Sequence, residues 1–165
     1  MSNNSNLNLT TELQHGISVD DIKDFQVLVL PENFNSVSDK ENLIEASDSL
    51  NMTKIFKEEG LKCANSFDLG LDVPALERRG SDIWLGQIFI LDNVALPIIL
   101  NVLTAYIQNK ISKKSKKKTT SEPEGKVHLE LKMHKNGNVN KLSYNGDSET
   151  LIKVLDNLKN NDCEN

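Results

Sequence analysis

Apolar positions are unevenly spread along the chain. Residues 84–107, WLGQIFILDNVALPIILNVLTAYI, form its one long apolar run. Six lysines among the next residues follow it: Lys110, Lys113, Lys114, Lys116, Lys117 and Lys118. About 20 consecutive apolar residues suffice to cross a bilayer, and lysines would suit a cytoplasmic flank. Gln87, Asp92, Asn93 and Asn101 interrupt the run, however, with Pro97 among them. An aspartate at the centre of a spanning helix costs roughly 3 kcal/mol. Two pieces of ordinary length account for these polar residues better than one span. The pattern therefore predicts a helix over about 82–91, then a second helix to about 111, capped by Asp92 or Asn93 with Pro97 in its first turn. Helices apolar nearly all round belong in a core.

Elsewhere the pattern is shorter in period. Residues 25–30, FQVLVL, end at Pro31 and read as an interior strand, followed by a loop over 31–38. Leu43, Ile44 and Ala46 at helical spacing predict a helix over 39–50 with Ser38 as its cap. Thr53 offers a cap for a further helix carrying Ile55 and Phe56, which Gly60 stops. A weak strand falls at 61–67. Asp72 and Pro74 mark a helix start that the segment 79–82 breaks. Val127, Leu129, Leu131 and Met133 alternate with His128, Glu130, Lys132 and His134, the signature of a strand with one buried and one wet face. Asn136-Gly137 turns that strand into a hairpin, which Leu142 and Tyr144 continue on the core side. Leu151, Val154, Leu155 and Leu158 form one stripe of a final helix.

The predicted class is α+β: a small sheet, made of the N-terminal strand and the C-terminal hairpin, packed on apolar central helices and a C-terminal helix. A chain of 165 residues suits one domain. Residues 1–20 form a polar, Asn- and Ser-rich tail expected to be disordered, 21–160 the domain with a Lys-rich linker at 112–125, and 161–165 a second tail. Charge is asymmetric. Seven basic residues face 16 acidic ones through Asn109, and 12 face eight from Lys110 on, so the net −5 divides into −9 and +4. That division admits an anionic partner for the second half, while the overall acidity argues against a general nucleic-acid binder. Cys63 and Cys163 are too few for a disulfide framework or a zinc site, and no basic-then-apolar leader opens the sequence. A reduced, cytoplasmic setting is the simplest expectation.

Candidate chemistry is sparse. His128, Glu130 and His134 share a strand face, but residues six apart are about 20 Å apart, too far for one ion, so no metal site is assigned. Asp92 amid apolar neighbours resembles an acid or base of raised pKa, yet Asn93 and Pro97 favour a helix cap. The glycines are scattered, without a phosphate loop. No catalytic residue, metal or cofactor is assigned, and the chain reads as a non-enzyme. The lysine cluster could contact phosphates with a steep salt dependence, or anionic lipid; the commonest role of such a run is a solvated helix end.

The order of elements, and above all VHLELKMHKNGNVNKLSYNGDSETLIKVLDNL, resembles the effector-associated constant component family. These are small accessory proteins encoded beside effectors in bacterial conflict and anti-phage systems. The likeness spans about 25–159. It implies an adaptor or regulatory subunit bound to a larger effector encoded nearby, docked through an exposed helix or sheet edge. The apolar run exceeds what a polar chain of this size easily covers, which nominates Trp84, Phe89, Leu96, Ile99, Leu103 and Tyr106 as partner contacts. Two other readings stand beside it: nucleic-acid binding through Lys110, Lys113, Lys114, Lys116, Lys117 and Lys118, and membrane association through 84–107, which the internal polar residues disfavour.

Overall fold

The computed structural model describes residues 9–78, 80–116, 125–135 and 138–163. They form an α+β fold around one mixed five-stranded sheet. Its strands are β1 (Val27–Leu30), β2 (Cys63–Asn65), β3 (Ile83–Ile90), β4 (Lys126–Lys135) and β5 (Asn138–Asp147), in the order β2-β1-β3-β4-β5. β1 runs parallel to β2 and antiparallel to β3, β3 is parallel to β4, and β4 and β5 form the hairpin with ten opposed pairs. Its Asn136-Gly137 turn lies outside the described residues.

The apolar run does fold back at Asp92, but its first half is strand rather than helix. β3 occupies the centre of the sheet, so both of its faces are covered and every residue except Trp84 is buried. A strand buried on both faces loses the alternation that would distinguish it from a buried helix, which is why periodicity misassigned it. Asp92 then accepts the Val94 N–H at 3.0 Å and opens a 3-10 turn, Asn93–Ala95, that continues into α4 (Leu96–Lys116). Pro97 sits in the first turn, where its missing N–H costs no hydrogen bond. α4 carries the chain from β3 across to parallel β4 and extends past the expected linker start at 112. The rest of that linker, 117–124, lies outside the described residues.

One face of the sheet packs on α3 (Ser49–Glu58), α4 and α5 (Ser148–Cys163). Val29, Ile88, Ile90, Leu129 and Leu131 meet Phe56, Ile99, Leu103, Leu151 and Leu155 there. The second face is covered over β1, β3 and Lys132 of β4, contrary to the expectation of a wet face, while Lys141, Ser143 and Asn145 of β5 stay exposed on it. Leu28, Leu30, Phe89 and Val139 lie under Ile17, Ile22, Phe34, Leu43 and Leu71. Part of the cover, Leu9, Leu13 and Ile17, comes from the stretch expected to be a disordered tail. Residues 9–20 are part of the fold, in α1 (Leu9–Glu12) and α2 (Val19–Ile22); residues 1–8 lie outside the described set. Ser18 closes a capping box on α2, with Asp21 N–H donating to Ser18 Oγ at 3.3 Å and Ser18 N–H to Asp21 Oδ2 at 2.8 Å. These bonds hold the Asp21 carboxyl below its usual pKa. Leu9, Leu13, Ile17 and Ile22, scattered in sequence, supply the apolar contacts that order the segment.

Two further predicted helices are absent. Over 39–50 only the 3-10 turn Lys40–Asn42 forms, capped by Asp39, before α3 begins at Ser49. Beyond that turn the backbone is spent on pairing across the chain: Glu45 N–H donates to Pro74 carbonyl at 3.0 Å and Leu76 N–H to Glu45 carbonyl at 3.2 Å. The same pairing keeps 71–78 extended, so Pro74 opens no helix. Thr53 lies inside α3, bonding back to the Ser49 carbonyl, while Gly60 ends the helix region at a φ of +85°. Glycine is also required at Gly86, where φ is +70° in an irregular stretch of β3. A Cβ there would stand 2.9 Å from the Leu30 carbonyl oxygen and 3.1 Å from Ala46 Cβ.

Candidate functional site

The residues nominated as partner contacts are mostly internal. Phe89, Leu96, Ile99, Leu103 and Tyr106 are buried in the chain's own core. The expectation that the apolar run exceeds available cover is corrected: β3 is covered on both faces and α4 lies against the sheet. By length and composition α4 with its preceding turn is long and apolar enough to cross a membrane, but its apolar side is already occupied by protein.

Trp84, the partly exposed member, anchors a polar cluster at one end of the sheet. Its indole stacks on His128 with centroids 3.6 Å apart and planes 11° from parallel. The Arg78 guanidinium carbon lies 3.5 Å from the ring centroid. Two planar groups at that distance need opposite faces, so the indole is held between them. Arg78 is fixed in turn by a two-point pair with Glu32. His128 Nε2 lies 2.9 Å from Asp82 Oδ2 and Nδ1 lies 2.7 Å from Asn145 Oδ1. With both ring nitrogens engaged, the imidazole ties β4 to β5 and to the loop before β3.

Beneath this cluster, nearly buried Asp48 accepts Trp84 N–H at 2.8 Å and Tyr106 O–H at 2.6 Å. Lys110 Nζ lies 3.0 Å from the same carboxylate. Burial first, and then the bond to Asp48 and its charge, push the Tyr106 hydroxyl well above its usual pKa. Lys110, the first of the lysine cluster, is therefore used internally. Lys113, Lys114 and Lys116 continue along α4 with side chains outside the described set, and Lys117 and Lys118 lie outside it altogether.

The supposed wet-face residues go to different places. His128 joins the Trp84 stack, Glu130 pairs with Lys141 at 2.5 Å, and His134 lines a groove at the far end of the sheet. Lys132 is fully buried and bonds Glu12 Oε2 at 2.6 Å and Asn35. Among the described residues no three potential ligands gather as a metal site. Burial pushes the Cys63 thiol up to about 12, leaving it a poor nucleophile at neutral pH.

The groove at the far end encloses about 710 Å³. Leu9, Ile22, Phe25, Leu91 and Val94 supply its apolar lining, with Lys23, Lys62, Asp92 and His134 among its polar residues. At this end Val94 is 86% exposed, Val19 42%, and Ile98, one turn on from Val94, 47%. Leu50, Phe67 and Leu76 are further exposed apolar residues; Leu76 N–H donates to the Glu45 carbonyl, and Phe67 follows Ser66, whose hydroxyl reaches the Glu45 carboxylate. Glu45 Oε2 accepts from Ser66 at 2.6 Å while Oε1 has no hydrogen-bond partner among the described residues, and burial raises the carboxyl's pKa. Sequence offers little to separate Val94 or Phe67 from core residues, because hydrophobicity does not reveal which way a side chain points. Comparison with protein families, with curated proteins and with solved structures gives no match.

Proposed function

We propose that this chain is a non-enzymatic accessory subunit that docks a larger effector protein in the cytoplasm. The resemblance of 25–159 to accessory proteins of bacterial conflict systems supports an anti-phage setting for that role. The observation carrying the docking reading is the 710 Å³ groove lined by the exposed Val94 and Val19, with exposed Ile98 four residues beyond Val94 on the helix that follows. The lining is shared about equally by apolar residues and by polar ones such as Lys23, Asp24, Lys62 and His134, which suits a partner segment that brings a hydrophobic anchor flanked by polar groups. The polar clusters favour the same reading, since Asp48, Arg78, His128 and Lys132 engage one another or their neighbours in binding elements together. The docking face thus moves from the buried residues nominated above to the mouth of this groove.

The test is co-purification with the product of each neighbouring gene. A complex is expected with one of them, lost in the Val94→Asp/Ile98→Asp double variant while that variant keeps the parent melting temperature. Absence of any such complex, or one indifferent to both substitutions, overturns the proposal.

A further inference from the structure

The hairpin places β5 at the edge of the sheet, and among the described residues nothing pairs with its outer side. Edge strands are ordinarily blunted by shortness, proline, a bulge or clustered charge. β5 has little of this: it is ten residues long, opposes β4 without a bulge, lacks proline and carries only Lys141 and Asp147 as full charges. Asn138, Asn140, Lys141, Ser143, Asn145 and Asp147 are all exposed. The free backbone groups of such a strand form a template for another strand.

We infer that β5 pairs antiparallel with β5 of a second copy of this chain, joining two five-stranded sheets across a twofold axis. An antiparallel alignment centred on Tyr144 sets Lys141 opposite Asp147 of the second copy and Ser143 opposite Asn145, all on one face. On the other face Leu142 meets Gly146 and Tyr144 meets its equivalent. No like charges oppose each other, and opposite-charge and aromatic pairs stabilise adjacent strands. The flanking helix supports the same occupant. Residues advance about 100° each around α5, with Leu151 and Leu155 facing the core and Lys159 bonding Asn101 of α4 at 2.7 Å. Val154 therefore lies on the flank away from α4, toward the free edge, and is only partly buried. The twofold brings the two Val154 flanks toward each other on the same side of the joined sheet. This self-pairing does not depend on the effector-docking reading, which uses the groove lined by Leu91, Val94 and His134.

Sedimentation equilibrium of the full chain tests it at about 100 µM, above the micromolar Kd at the weak end for interfaces of ordinary size. A species of twice the 18.5 kDa chain mass is expected. Ser143→Lys and Val154→Lys should each shift it to monomer while preserving the circular dichroism spectrum. A monomeric parent protein, or a dimer that both variants leave intact, overturns the inference. Should either variant unfold, hydrogen exchange of the parent decides: β5 amides must slow as concentration rises, and concentration-independent exchange there contradicts the pairing.

Discussion

The buried Lys132–Glu12 pair predicts how firmly the N-terminal segment is fastened to the sheet. Lys132→Met removes an ammonium that has no solvent exposure and leaves the Glu12 carboxylate, also buried, without its counter-ion. Asn35 loses a partner at the same time, and the Phe89 ring loses a cation 5.9 Å from its centre. Breaking a buried pair from one side costs about 3–5 kcal/mol, whereas replacing both charges by apolar residues is often close to neutral. Lys132→Met alone should therefore lower stability by about 3–5 kcal/mol, and Lys132→Met with Glu12→Leu should recover most of that loss. Urea unfolding followed by the fluorescence of Trp84, the chain's sole tryptophan, measures both. A single-variant cost below about 1 kcal/mol, in the range of an exposed pair, would mean that water reaches both charges. Additivity of the two substitutions would mean that the groups are not coupled.

Gly86→Ala combines a disfavoured positive φ with a close approach to the Leu30 carbonyl, so a loss of about 2–3 kcal/mol in urea unfolding is expected; an unchanged midpoint contradicts it. Glu45 is raised in the folded state, which binds its proton more tightly than the unfolded chain does. Its contribution is fully present below the unfolded value of 4.5 and is lost as pH rises through the folded value. Glu45→Gln should flatten thermal stability over that window and exceed the parent above it; a parallel pH profile sinks the assignment. Asp92→Ala removes the cap before α4 and a bond from Gln26, with an expected loss of about 1 kcal/mol by thermal unfolding. No measurable change would mean that the turn holds without it.

Much of the architecture is legible in the chain because local signals agree with the final environment. Residues 25–30 contain β1, the alternation after Val127 matches β4, and the stripe ending at Leu158 matches α5. Asp92 divides the apolar run because a carboxylate can both cap a turn and avoid the core. The failures arise where tertiary pairing overrides local pattern. β3 looks helical only because both its faces are buried, and Leu43 and Ala46 have helical spacing yet belong to an extended segment held by residues 74–76. The N-terminal leucines look too sparse to order a segment until the apolar face of Leu28, Leu30 and Phe89 is placed beneath them. The groove was not legible at all, since it is assembled from residues as far apart as Leu9 and His134.

The long apolar run is divided at Asp92 and covered within the chain. Amide hydrogen exchange in detergent-free buffer tests the division most directly. Residues 83–90 and 96–107 are expected to exchange among the slowest amides, through global unfolding, while residues 91–95 between them exchange faster. Uninterrupted protection from 83 to 107 in a protein that stays dispersed only with detergent would contradict the division.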